Sequence, residues 1–161
     1  DPRSPFGGMK VAKGGSFLLI TQNVDNLHQR AGSESVIAMH GQLQKVKCPV
    51  TGKNQSWLKD LTSTDLCHCC KTPQPLRPDI VWFGEMPYQM DECVDALMQA
   101  DLFISIGTSG QVYPAAGFVQ IAAEYGALTT ELNMEATRGD FAEGYYGPAA
   151  KIVSTYLAKL S

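Results

Sequence analysis

Several features are missing or scarce in this 161-residue sequence, and each absence excludes something. No apolar run approaches the roughly 18 to 20 residues needed to span a bilayer. No charged start leads into an apolar stretch of the signal-peptide kind, so the expectation is a soluble, cytoplasmic protein that does not work at a membrane. Basic charge is not in excess. The 13 Lys and Arg are outnumbered by 16 Asp and Glu, and a net charge of −3 offers no general attraction to nucleic acid. Lys45, Lys47, Lys53 and Lys59 give a local basic bias that reads as a solvated face. The phosphate-loop pattern Gly-x-x-x-x-Gly-Lys-Ser/Thr is absent, because Lys13-Gly14-Gly15-Ser16 does not satisfy it, and this argues against a nucleoside triphosphatase. Internal repeats and long low-complexity tracts are also lacking. Cysteine is limited to five residues, three of them within positions 67–70, which suits metal binding in a reducing compartment better than a disulfide framework.

What is present is enough apolar content for a core, 44% of residues, distributed in alternating periods. Residues 1–15, with two prolines and two Gly-Gly pairs, read as a loose leader. After them, short runs at 17–20, 102–106 and 128–132 are those expected of strands buried on both faces of a parallel sheet. Helical periods lie between and after these runs. One covers 90–100, with Val94, Leu97 and Met98 on one face; one covers 115–125 behind Pro114; the last follows Pro148 and carries Ile152, Val153, Tyr156, Leu157 and Leu160. The alternation predicts an α/β fold with a Rossmann-like, doubly wound parallel sheet over 16–44 and 79–161. Residues 45–78 break the pattern with Thr, Ser, Pro, Lys and most of the cysteines. They read as a small inserted module that needs a metal staple to offset its ordering entropy.

Four groups of residues carry chemistry. The first is Thr21-Gln22-Asn23-Val24-Asp25-Asn26, delivered to a turn by the strand before it. Carboxamides and a carboxylate there can bind a ligand, or Asp25 and Asn26 can cap a short helix at 26–31. The second is His40-Gly41. An imidazole can accept a proton near neutral pH, although a lone histidine after an apolar stretch is more often structural. The third is Gly107-Thr108-Ser109-Gly110, at the strand-to-helix edge where doubly wound folds bind nucleotides; an ordinary turn is the plainer reading. The fourth is the cysteine set. Cys67-x-x-Cys70 makes half of a tetrahedral zinc site and Cys48 stands nineteen residues upstream, but Thr51 occupies the position where a second Cys-x-x-Cys would need cysteine. The fourth ligand is then Cys69 or His68, or the site is partly degraded. Cys93 reads as a small buried hydrophobe, and His28 and His68 as surface or supporting groups.

These motifs, together with 79–85 (Asp-Ile-Val-Trp-Phe-Gly-Glu), Val112-Tyr113-Pro114 and Glu131-Leu132-Asn133, follow one another as in the sirtuins, NAD-dependent protein lysine deacylases. The resemblance runs from about Phe17 to the C-terminus and is greatest to the bacterial branch grouped with desuccinylating and demalonylating members. It implies that His40 is the catalytic base. It also implies that Gln22, Asn23, Val24 and Asp25 line the nicotinamide-ribose pocket, and that Gly107, Thr108, Ser109, Asn133, Met134, Glu135 and Ala149 contact NAD. Val81, Phe83, Gly84 and Val112 would hold the acyl-lysine peptide as an added strand. Cys48, Cys67 and Cys70 would hold a structural zinc. In the family reaction the acyl oxygen attacks the anomeric carbon as nicotinamide leaves, and the histidine deprotonates a ribose hydroxyl that takes the acyl group. The family's first strand and glycine-rich phosphate loop have no counterpart in this sequence, so the chain is expected to begin in mid-domain with an unpaired sheet edge. Two other readings therefore stay open: an inactive module that binds acyl-lysine peptides, and a zinc-stabilised interaction domain.

Overall fold

The computed structural model describes residues 15–160. All but the last residue of the expected leader lies outside them. The chain divides into two compact units, Leu18–Met90 and the part from Asp91 onward.

In the first unit, β1 (Leu19–Thr21) and β2 (Val36–Ala38) pair in parallel, joined through α1 (Leu27–Arg30). The register sets Leu19 opposite Val36 and Thr21 opposite Ala38, so both strands end at one edge. There β3 (Gly41–Lys47) begins an antiparallel sheet in the order β4 (Asn54–Ser56), β3, β5 (Arg77–Ile80), with an irregularity in the β3–β5 register between Gln42 and Val46. Gly41 permits this arrangement. Its φ is +87°, and a Cβ there would stand 2.1 Å from the Asp79 carbonyl oxygen. A polar network ties the sheet together: the Lys47 ammonium donates to the Tyr88 hydroxyl at 2.5 Å, Tyr88 donates to buried Asp79 at 2.7 Å, and Asn54 donates to its other oxygen at 3.0 Å. The small core beside it is Val46, Cys48, Cys67 and Leu76, with Trp57 and Leu61 against it.

In the second unit, β6 (Leu102–Ile106), β7 (Leu128–Asn133) and β8 (Glu143–Tyr146) form a parallel sheet in that order. Alternation along the strands sends Ile104, Ile106 and Leu132 to the face covered by α4 (Ala149–Leu157), which buries Val153, Tyr156 and Leu157. The opposite face carries Phe103 and Ser105, which with Val119 of α3 (Phe118–Glu124) line a small void. Helices thus cover both faces of a parallel sheet, the α/β class expected from the alternation. A single 3-10 turn, Ala115–Gly117, leads into α3.

Three details differ from expectation. The helix α2 (Met90–Met98) buries Cys93 and Leu97, while Met98 is exposed. Cysteine serves there as a small hydrophobe one turn before Leu97, and burial pushes its thiol up to about 11. The apolar run Ile80 to Phe83, whose residue types are those of a buried strand ending in a turn, is strand only as far as Ile80. Beyond it Glu85 turns the chain back, its N–H donating to the Trp82 carbonyl and its carboxylate accepting the Trp82 N–H, both near 3.0 Å. The strand β8 comes from a segment without a marked strand pattern, whereas β2 takes up the apolar stretch before His40. Among the described residues no helix is long and apolar enough to cross a membrane.

Candidate functional site

In the first unit the site grows out of the parallel register of β1 and β2. Two residues past the paired ends, Asn23 and His40 reach the same edge. Met39 N–H still donates to the Thr21 carbonyl at 3.1 Å, and next to it the His40 ring lies with Nδ1 3.1 Å from the Gln22 carbonyl oxygen. A carbonyl only accepts, so Nδ1 carries the proton and Nε2 keeps the lone pair of a base. The backbone of His40 is held from the other side by Val81, whose N–H donates to the His40 carbonyl at 2.9 Å. The polar turn is equally fixed. Asp25 accepts the Leu27 N–H through one oxygen at 2.9 Å, Val24 accepts the Leu43 N–H at 2.8 Å, and Asn26 donates to Gln44 at 2.7 Å. The capping reading of Asp25 therefore holds, and its side chain remains exposed at the turn beside Asn23.

Beyond β5 the turn at 82–85 is braced by Arg77. Its guanidinium makes two bonds to the Glu85 carboxylate, at 2.5 and 2.9 Å, and stacks 3.6 Å from the centre of the Trp82 ring. The Arg77 contact, reinforced by the Trp82 N–H, holds the Glu85 carboxyl down at about 2. Phe83 stands at the tip of this rigid turn, fully exposed, next to Gly84 at φ +87°.

The cysteines meet in the same unit. The Sγ atoms of Cys48, Cys67, Cys69 and Cys70 all lie within 4.8 Å of one another, and Cys48 and Cys70 are 3.4 Å apart. A tetrahedral zinc with Zn–S bonds near 2.3 Å separates its sulfurs by about 3.8 Å, so this donor set fits that ion. Cys69 fills the place left open by Thr51, and His68 is not part of the cluster. Thr51 is a support instead, its hydroxyl 3.0 Å from Cys69 Sγ. Hydrogen bonds from the Thr51 hydroxyl, then its backbone, pull the Cys48 thiol down to about 5, and the Gln74 N–H lowers that of Cys67. Cys70, hydrogen-bonded to Cys48, is pushed up to about 12. Cys48 and Cys67 are thus eased towards the thiolate while Cys70 resists it, a conflict that a bound divalent cation relieves.

The second unit holds a cavity of about 470 Å³ between two loops at the carboxyl ends of β6 and β7. It gathers Gly107, Thr108 and Ser109 with Asn133, Met134 and Glu135. Asn133 joins the loops, donating to the Thr108 carbonyl at 2.7 Å and accepting the Met134 N–H at 2.9 Å. Gly107 and Gly110 both have positive φ, which lets the first loop turn tightly at the strand end. Gln111, Thr137 and Arg138 also line the cavity and were not singled out from sequence; their signal was only their place after Gly110 and Asn133. Ala149, at the start of α4, and Val112, exposed in the loop before the 3-10 turn, are not among its lining residues.

Comparisons with known proteins agree with this geometry. The Sir2 family model matches residues 9–114. A protein of Escherichia coli strain K12 named NAD-dependent protein deacylase is 57% identical over 154 residues, covering 94% of this chain and 55% of its own length. A Salmonella typhimurium protein of the same name is 53% identical over 153 residues, covering 94% and 56%. Among solved structures, a Sir2 homologue–NAD complex matches with a TM-score of 0.80 at 34% identity, over 91% of this chain and 59% of the other. A Sir2 protein bound to acetylated peptide matches at 0.78 and 30%, over 89% and 63%. The chain spans just over half the length of these curated relatives. With a family model matched along most of its residues and relatives more than half identical to it, the chain belongs to the Sir2 family.

Proposed function

We propose that this chain carries the catalytic machinery of an NAD-dependent protein lysine deacylase, removing acetyl and, by likeness to its branch, succinyl or malonyl groups. The observation that carries this reading is His40, whose Nδ1 is committed to the Gln22 carbonyl so that Nε2 is left as a base at the edge where Asn23 and Asp25 emerge. The cavity of about 470 Å³ lies within the size range of ligand sites, and its small residues, hydroxyls and glycine backbone suit the nucleotide part of NAD.

NAD, when bound, supplies the electrophilic anomeric carbon and the ribose hydroxyl that receives the acyl group. His40 Nε2 takes the proton of that hydroxyl, and the Gln22 carbonyl keeps the ring in its tautomer and stabilises the cation that forms. Asp25 orients the carboxamide, while Asn23 and the backbone of Gln22 and Val24 position the ribose or a water. Gly107, Thr108, Ser109, Asn133, Met134 and Glu135 hold the cofactor, and Ala149 is assigned a weaker contact from the start of α4. Phe83 walls the acyl chain, Val81 and Gly84 present backbone to an extended peptide, and Val112 does the same from its own loop. The four cysteines hold a structural zinc that fixes the 45–78 module, which suits the reducing cytoplasm.

The test is to incubate the purified chain with an acetyl-lysine and a succinyl-lysine peptide, with and without NAD, and to follow peptide mass, with His40→Ala as control. NAD-dependent loss of an acyl group that vanishes in the variant supports the reading and reveals the preferred acyl group. A folded chain that leaves both peptides intact rejects it, and retained peptide affinity would then favour a binding module.

A further inference from the structure

We propose that Glu131, which does not line the cavity, is the positioning residue that anchors the wall of the nucleotide site through Thr137. This rests on the reading of that cavity as the NAD site.

Glu131 lies on β7 two residues before Asn133, so both side chains project from the same face of the strand. It is only 2% exposed, and none of the ion pairs among the described residues involves it. A buried carboxylate must be satisfied by hydrogen bonds. Here one oxygen accepts the Tyr146 hydroxyl of β8 at 3.1 Å, and the Thr137 N–H is shared between both oxygens at 3.2 and 3.3 Å. Burial and then the bond to Glu131 raise the Tyr146 phenol, which keeps it a donor.

Thr137 in turn is where the two cavity loops touch. Its N–H is held by Glu131, its hydroxyl accepts the Gly139 N–H at 3.3 Å, and that same oxygen lies 3.3 Å from where a Cβ on Gly110 would stand. The second loop therefore has two fixed points. Asn133 secures its root to Thr108, and Glu131 secures its far side against Gly110. Between them lie Met134, Glu135 and Ala136, all facing the cavity. A carboxylate suits this task because both its oxygens only accept, so a backbone N–H and a hydroxyl can be taken together. Glutamine would keep a single acceptor oxygen, lose the sharing of the Thr137 N–H between two oxygens, and turn its NH₂ either against that N–H or to a Tyr146 hydroxyl that must reverse to accept it.

The experiment uses the full chain, with ADP-ribose as probe in titration calorimetry and amide hydrogen exchange in the absence of ligand. Glu131→Gln is expected to weaken ADP-ribose about tenfold, and Tyr146→Phe about threefold to fivefold, with the double variant weaker by less than the product of the two. Affinity for an acetyl-lysine peptide should not change in either, whereas a general loss of structure would lower both. Exchange at the Thr137 amide should rise at least about tenfold in Glu131→Gln while Thr130 and Leu132 stay protected. Should Glu131→Gln not fold, Tyr146→Phe decides alone, since it removes one hydroxyl from a side chain that is half exposed. A wild-type chain that binds no ADP-ribose overturns the NAD reading and this inference with it. Wild-type binding with unchanged affinity and unchanged Thr137 exchange in the variants overturns the inference alone.

Discussion

Replacing Gly41 with alanine should be among the most damaging single-methyl additions in the first unit. A Cβ at this position meets the Asp79 carbonyl oxygen at 2.1 Å, Ile80 Cα at 2.8 Å and Asp79 C at 2.9 Å. All three are backbone atoms of β5 and none can rotate away. The residue also sits at φ +87°, where an L side chain costs about 1–2 kcal/mol. Pushing β5 off β3 adds about 1–3 kcal/mol of overpacking and strains the bond from Val81 N–H to the His40 carbonyl, worth about 1 kcal/mol. The lower unfolded-chain entropy of alanine offsets less than about 1 kcal/mol of this. A net loss of about 4 kcal/mol is expected, a large share of a typical domain's stability. Gly52→Ala is the matched control. Its φ is +70°, but nothing lies within 4 Å of a Cβ there, so only the backbone cost of about 1 kcal/mol applies. Urea unfolding of both variants with zinc present, followed by the fluorescence of Trp57 and Trp82, gives the comparison. If Gly41→Ala falls within about 1 kcal/mol of Gly52→Ala, β5 does not press on Gly41 and the positioning of His40 by that strand is wrong.

Three further outcomes are expected. Cys69→Ser should lower zinc content as much as Cys48→Ser, while Cys93→Ser, buried in α2 and not a member of the cluster, should keep it; metal analysis showing full zinc in Cys69→Ser would remove Cys69 from the ligand set. Glu85 falls to about 2 in the folded chain from an ordinary value of 4.5. Its pairing with Arg77 thus contributes fully above about pH 4.5 and is lost as pH falls towards 2, so the urea midpoint should drop more steeply across that window in the wild type than in Glu85→Gln, and parallel curves would refute the pairing. Phe83→Ala removes a side chain that is fully exposed, so stability should change by less than about 0.5 kcal/mol while affinity for an acetyl-lysine peptide falls; unchanged affinity would take Phe83 out of the acyl site.

How far the sequence announces this architecture depends on where the stabilising partners lie. The strand β6 is legible because most of its residues are apolar by themselves, β7 because β-branched Thr129 and Thr130 stand between Leu128 and Leu132, and α4 because Val153, Tyr156 and Leu157 repeat along one face. The strand β8 is not, since Glu143-Gly144-Tyr145-Tyr146 has neither an apolar run nor alternation. It becomes a strand because the edge of β7 supplies the backbone partners, from Thr130 opposite Glu143 to Asn133 opposite Tyr146, and because Tyr145 packs on Tyr156 of α4. The opposite error occurs at Ile80-Val81-Trp82-Phe83, whose composition favours a strand. There a bidentate Arg77–Glu85 pair stabilises a turn instead, and eight residues separate its members.

The candidate site divides along the same line. Residues whose chemistry is in their own side chains, His40, Asp25 and the cysteines, stand out in any reading of the chain. Residues that act by holding others do not: Glu131 stands in a motif that gives it no role of its own, and Thr137 belongs to a polar loop with nothing to mark it. Cys69 is the instructive case. In a strand, adjacent side chains point to opposite faces, which argues against Cys69 and Cys70 sharing one ion. The chain at 67–70 is not a strand. It turns between two short antiparallel links, Cys67 N–H to the Gln74 carbonyl and Leu76 N–H to the Asp65 carbonyl, both at 2.8 Å, and within such a turn successive side chains can converge. The same turn brings the Gln74 N–H to 3.2 Å from Cys67 Sγ, so the backbone that makes the convergence possible also supplies a donor to one of the thiolates a metal would need.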